Sequence, residues 1–170
     1  MTAVPSPAPA ADAPMDPQSQ RPRPPQRVLV VEDLEDTRTS LVDLLRMSLG
    51  LEVDAAEDGA QALEMLAERP YSLVITDLRM PRVGGMRLIH EIRDRQIPVT
   101  IIVTTGHGSI DEAVQAMRLG AYDFITKPID FQHLRLVVQR ALRERTLQDE
   151  VAYLREQLQS RFSLDRKSVV

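Results

Sequence analysis

The stretch Tyr71–Gly85, YSLVITDLRMPRVGG, decides the fold. Leu73, Val74 and Ile75 form a short apolar run rich in β-branched residues, the pattern of a strand buried on both faces of a parallel sheet. Asp77 follows it. Met80-Pro81 and Gly84-Gly85 then end the strand and turn the chain. Open α/β sheets bind ligands outside the carboxyl ends of their strands. A carboxylate at that spot is costly to bury without a partner, so Asp77 asks for a cation.

Working outward, Arg27–Val31 predicts a first strand that ends in Glu32-Asp33. Leu41, Leu44, Leu45 and Leu49 recur at helical spacing, with Asp36 as the expected N-cap and Gly50 as the stop. Leu51–Ala56 predicts a second strand. Asp58-Gly59 leads into a helix over Ala60–Glu68, and Pro70 breaks it before the central strand. Beyond Gly85, Met86, Leu88, Ile89 and Ile92 give a helical stripe. Val99–Val103 predicts the fourth strand, running into Thr104-Thr105-Gly106-His107-Gly108. Ser109 or Asp111 is the expected cap of a helix over Ile110–Leu119. Tyr122–Thr126 predicts the fifth strand, ending in Lys127-Pro128. A last helix starts near Asp130, with Leu134, Val137, Val138, Ala141 and Leu142 inward. Strictly alternating strands and helices imply parallel pairing through right-handed crossovers. The expected fold is therefore a flavodoxin-like, doubly wound α/β sheet of five parallel strands in order 2-1-3-4-5, with an extended C-terminal helix.

The 170 residues suit one domain with tails. Residues 1–26 hold eight of the twelve prolines and few large apolar side chains, the composition of a disordered or polyproline-type tail. The expected division is this tail, a main domain over 27–143, a linker helix over 144–162 and a tail over 163–170. A net charge of −4 argues against a nucleic-acid surface. Cysteine is absent, so thiolate metal sites are excluded. No apolar run approaches the roughly 20 residues that span a bilayer, and no signal-peptide core is present. A cytoplasmic protein without membrane contact is expected.

Four strand ends carry polar groups: Glu32 and Asp33, Asp77, Thr105, and Lys127. Each alone has an ordinary explanation as a turn, cap or surface residue. Together, on neighbouring strands, they form a constellation. Three carboxylates invite a hard divalent cation, and Mg2+ fits because it keeps waters and also holds a phosphoryl oxygen. A hydroxyl and an ammonium opposite suit the remaining phosphoryl oxygens. His107 fits a loop better than a metal site, and His90 and His133 fit helix surfaces.

VLVVED, TDLRMP, TTGH and GAYDFITKP, in this order, resemble the receiver domain of two-component response regulators over about Gln26–Arg143. The resemblance implies Asp77 as phosphoacceptor, fed by a sensor histidine kinase. It implies an Mg2+ site of Glu32, Asp33, Asp77 and the Arg79 backbone carbonyl. It also implies Lys127 as the phosphate-binding lysine, Thr105 and Phe124 as switch residues, and a cis Lys127-Pro128 bond. No enzymatic activity is expected beyond self-catalysed phosphoryl acceptance and slow autodephosphorylation. Glu32 stands where Asp is common, and Gly84 where the loop often has Asp. A phosphatase of the haloacid type is the rival enzyme class, but Leu78-Arg79 follow Asp77, with no second acid two residues on.

Leu147, Val151, Leu154 and Leu158 are spaced four, three and four apart, an a/d seam of about two heptads. A parallel coiled-coil homodimer is expected; the alternative is a helix folded back on its own domain. TGHGSIDEAVQAMRLGAYDFITKP, the long helix and RFSLDR resemble transcriptional activators of the sigma-54-dependent, nitrogen-regulation or C4-dicarboxylate type. No GxxxxGK[ST] loop is present. The remaining alternatives are a stand-alone receiver that acts by protein contact and a non-phosphorylated dimerisation module. The latter has no need of the acids, Thr105 and Lys127 together.

Overall fold

The structure, a computed structural model, describes residues 26–106 and 109–168. The expected Pro-rich tail, up to residue 25, and the loop assignment of His107 lie outside the described residues. The elements follow as β1 (Arg27–Val31), α1 (Glu35–Leu49), β2 (Glu52–Ala56), α2 (Gly59–Glu68), β3 (Leu73–Asp77), α3 (Gly85–Asp94), β4 (Thr100–Thr105), α4 (Ile110–Arg118), β5 (Asp123–Thr126) and α5 (Phe131–Ser168). All four strand pairings are parallel, in the order β2-β1-β3-β4-β5. The expected flavodoxin-like topology is therefore the observed one.

Alternation along the strands sorts the core into two faces. Leu29, Val31, Val74, Ile101 and Val103 pack with Leu66 of α2, Leu88, Ile89 and Ile92 of α3 and Ala116 of α4. Val28, Val30, Ile75 and Ile102 pack with Leu41 and Leu45 of α1 and with Leu134, Val137, Val138 and Ala141 of α5. Both faces of the central strands are covered, which is why β1 and β3 are continuous apolar runs. Each fully buried Leu, Ile or Val contributes about 1.5–3 kcal/mol.

Helix ends follow local chemistry. Gly50 takes the left-handed conformation at φ 61° and closes α1. Asp58 caps α2, its carboxylate accepting the Gln61 N–H at 2.8 Å. Asp36 is not the cap of α1, contrary to expectation. The N-cap position falls on Leu34, and Asp36 lies with Glu35 inside the first turn. The preceding loop starts the helix early. Glu32 Oε1 accepts the Leu34 N–H at 3.2 Å, and Arg38 Nη1 donates to the Glu32 and Asp33 carbonyls. The first-turn acids then complement the positive end of the helix dipole.

α5 also departs from expectation at its far end. It runs unbroken past residue 162, where a tail was expected, to Ser168. The segment contains no Gly or Pro to stop it. Burial along α5 ends at Leu142, and Leu147, Val151, Leu154 and Leu158 are 48–61% exposed. The seam does not fold back onto the domain. No helix among the described residues is long and apolar enough to cross a membrane.

Gly85 links the fold to the strand end that carries Asp77. A Cβ at this position would run into the Asp77 carbonyl oxygen and the Leu78 Cα, both main chain. Gly85→Ala is expected to destabilise the domain by about 1–3 kcal/mol, the usual cost of overpacking. Urea denaturation checks this, and an unchanged midpoint would contradict the tight approach.

Candidate functional site

The carboxyl ends of β1, β3, β4 and β5 lie side by side, and the polar residues of the constellation gather there. Register pairs Val31 with Thr76, Asp77 with Thr104, and Thr105 with Thr126, so the chain leaves each strand at the same edge. The Lys127 N–H donates to the Thr105 carbonyl at 2.7 Å, which fixes the exit of β5 against β4.

One carboxylate oxygen from each of Glu32, Asp33 and Asp77 lies within 4.8 Å of the others. Glu32 is 1% exposed and Asp77 8% exposed. Such a group of like charges repels unless a cation enters. Lys127 supplies one: its Nζ lies 2.6 Å from Asp77 Oδ2 and 3.0 Å from Glu32 Oε2. Burial raises the Glu32 pKa above the ordinary glutamate value, and hydrogen bonds from Lys127 and the Leu34 N–H offset part of that shift. Burial acts to lower the Lys127 pKa, but the hydrogen bonds to Asp77 and Glu32 outweigh it and hold the ammonium above its usual value. The lysine therefore stays charged.

The other oxygen of Asp77 is held as well: Oδ1 accepts the Arg79 N–H at 3.1 Å. Asp77 is thus oriented through both oxygens, by an ammonium and by an amide. Thr105 is buried at the end of β4, and Phe124, on the neighbouring β5, packs half-buried against the core face that includes Val103. The Lys127-Pro128 bond is cis. His90 and His133 are exposed on their helices.

The donor set suits a hard divalent cation of Mg2+ type: three carboxylates on adjacent strand ends, all oxygen, without thiolate or imidazole. Sequence spacing revealed the strand ends but not three contacts around them. Glu32 pairs with Lys127 in addition to facing the acids. Arg82, at φ 65°, reaches the buried Asp58 at 2.6 Å and holds the β3–α3 loop to α2. Arg79 grips Glu112 of α4 through two hydrogen bonds, Nε–Oε2 at 3.2 Å and Nη2–Oε1 at 3.1 Å. These partners lie 24 to 95 residues apart along the chain, so no periodic signal in the sequence could pair them.

A five-stranded parallel sheet with clustered acids and one lysine at the carboxyl ends of its strands narrows the class of protein beyond what the fold alone does. Comparison with known proteins agrees. Residues 28–139 match the response regulator receiver domain, and the chain belongs to that family. It is 38% identical over 130 residues to the response regulator protein PilR of Pseudomonas aeruginosa, covering 75% of this chain and 28% of that protein. It is 33% identical over 132 residues to the regulatory protein AtoC of Escherichia coli, covering 78% and 28%. The chain thus spans under a third of the length of these curated relatives. Among solved structures, NtrX of Brucella abortus in complex with ADP is similar at TM-score 0.71 and 36% identity, covering 76% of this chain and 30% of that one. A response regulator receiver domain protein of Clostridium thermocellum is similar at TM-score 0.67 and 31% identity, covering 71% and 97%.

Proposed function

We propose that the chain is a phosphoacceptor receiver, phosphorylated on Asp77 by a cognate sensor histidine kinase in the cytoplasm. The observation that carries this reading is the Lys127 ammonium set between Asp77 and Glu32, beside a third carboxylate. An Asp77 oxygen attacks the phosphorus of a phosphohistidine, the P–N bond breaks, and the imidazole leaves with the electron pair. Lys127 shifts from carboxylate to phosphoryl oxygens, so its charge is already in place where charge accumulates. Mg2+, held by Glu32, Asp33, Asp77 and the Arg79 carbonyl, would supply further neutralisation of those oxygens. The Thr105 hydroxyl moves to the phosphoryl group, and Phe124 turns into the space it leaves. Water later hydrolyses the acyl phosphate and returns the carboxylate. Phosphorylation thus biases a two-state equilibrium of one fold.

The test is intact mass after incubation with Mg2+ and a small acyl phosphate. One phosphoryl adduct is expected, and excess chelator should abolish it. No adduct in the presence of Mg2+ would overturn the reading.

For the output, we propose a receiver over 27–143 joined through the helix at 144–162 to a second copy of the chain, in service of transcriptional control of the sigma-54-dependent type. The exposed seam of Leu147, Val151, Leu154 and Leu158 supports it, because an apolar stripe of this spacing is stable only when covered. Val151→Asp with Leu154→Asp is expected to shift sedimentation from dimer to monomer. The fold should be kept, since both positions lie outside the core. A wild-type monomer would favour a stand-alone receiver that acts by protein contact.

A further inference from the structure

α4 is held loosely. Its buried side chains are Ala113 and Ala116, while Ile110, Val114 and Met117 are exposed. Alanine buries little apolar area, so packing alone restrains this helix weakly. Ser109, at the N-cap position, makes no side-chain cap hydrogen bond. Against this background one contact stands out: the two-pronged ion pair from Arg79 to Glu112 in the first turn of α4. Paired hydrogen bonds between a guanidinium and a carboxylate are geometrically demanding and fix both partners. Arg79 is two residues from Asp77, and its main-chain N–H donates to Asp77 Oδ1. One residue therefore touches the acceptor carboxylate with its backbone and α4 with its side chain.

We infer that the Arg79–Glu112 pair is a latch that holds the first turn of α4 in the unphosphorylated position, and that a phosphoryl group on Asp77 opens it by drawing the Arg79 guanidinium away from Glu112. The inference rests on the proposed role of Asp77 and deepens it. The driving force is charge. A phosphoryl group carries about −1.5 to −2 and three strong acceptor oxygens, against a single charge on Glu112. The guanidinium exchanges one acceptor for a stronger one. The loop keeps its anchor on the opposite side through Arg82 and Asp58, so the exchange releases α4 and leaves α2 in place.

Hydrogen exchange on the full chain tests the latch without requiring phosphorylation. Without any phosphoryl mimic, Glu112→Gln and Arg79→Ala should each speed exchange in α4 by about two- to five-fold, the range for an exposed ion pair of good geometry. Asp111→Asn removes the same charge from the same turn without touching Arg79, and should have a smaller effect. Equal effects of Asp111→Asn and Glu112→Gln, or no effect of Glu112→Gln, would overturn the latch. Mg2+ with beryllofluoride, a phosphoryl mimic, should bring wild-type α4 to the variants' exchange rate. Bound beryllofluoride with α4 still protected would overturn the partner exchange. If beryllofluoride fails to bind while Glu112→Gln still loosens α4, the latch is supported and the role of Asp77 is overturned.

Discussion

Asp77→Asn is expected to remain folded and to carry no phosphoryl adduct under conditions that modify the wild type, a drop to below about 1% of wild-type labelling for loss of the nucleophile. Asparagine has nearly the shape of aspartate, so it keeps the Oδ1 acceptor for the Arg79 N–H. It lacks the second carboxylate oxygen, which receives Lys127 at 2.6 Å and is the anionic partner of the site. The substitution relieves repulsion among Glu32, Asp33 and Asp77 but gives up the Lys127–Asp77 ion pair, while Lys127 keeps Glu32. The two effects oppose, so the change in stability should be smaller than that of removing Lys127. Intact mass with an acyl phosphate and Mg2+ reads the first effect, and urea denaturation the second. A stable adduct on the variant would move the acceptor elsewhere in the chain.

Lys127→Met is the second large effect, and it is two-fold: phosphoryl acceptance is lost, and stability falls. Methionine fills a similar volume, so the loss is one of charge. It leaves Glu32 buried and facing Asp77 with no ammonium between them. Breaking a buried ion pair typically costs about 3–5 kcal/mol, and Lys127 is a quarter exposed, so about 2–3 kcal/mol is expected. The sign with pH follows from Glu32. Burial already raises its folded pKa, and Lys127 is among the groups that oppose this. Without Lys127 the folded pKa rises further. A carboxyl raised in the folded state reduces stability once pH exceeds its unfolded value, near 4.3, and that penalty disappears as pH falls below it. The deficit of Lys127→Met should therefore be large at neutral pH and shrink toward pH 4. Mg2+ should restore part of it at neutral pH, because the cation binds the folded acids selectively. Denaturation at both pH values, with and without Mg2+, measures this. A deficit equal at both pH values would assign the loss to packing.

The fold was legible because both signals it depends on are local. Continuous apolar runs such as Val28–Val31 and Leu73–Ile75 mark strands covered on both faces, and strict alternation with helical stripes leaves few topologies. The position of the candidate site followed from that topology: Asp77 and Thr105 end their strands, Glu32 and Lys127 directly follow theirs, and Asp33 is next after Glu32. Less legible were features set by competition between neighbours. Asp36 has the chemistry of a cap, but Glu32 and Arg38 organise the preceding loop and start the helix before it. The end of α5 lies beyond the expected residue 162 because neither Gly nor Pro stops the helix before Ser168. The Arg79–Glu112 and Arg82–Asp58 pairs depend on where loops pass one another in space. Neither loop arginine carries a mark in the sequence that points to its acid, Glu112 in α4 or Asp58 at the cap of α2.

The absence of a joint in α5 makes angular phase a property of the molecule. Thirty-eight residues at about 1.5 Å each give a rod of roughly 57 Å, with its base among Leu134, Val137 and Val138 and its seam beginning at Leu147. Each residue turns the helix by about 100°, so the bearing of the seam relative to the sheet is set by the number of residues between Leu142 and Leu147. A change of seven residues there nearly preserves that bearing, and a change of three or four keeps it only loosely. One or two residues would point the same leucines and valine to another side of the rod. Chain length in this short segment is thus under a geometric constraint that side-chain identity is not, and a small rotation at the base becomes a reorientation at the far end.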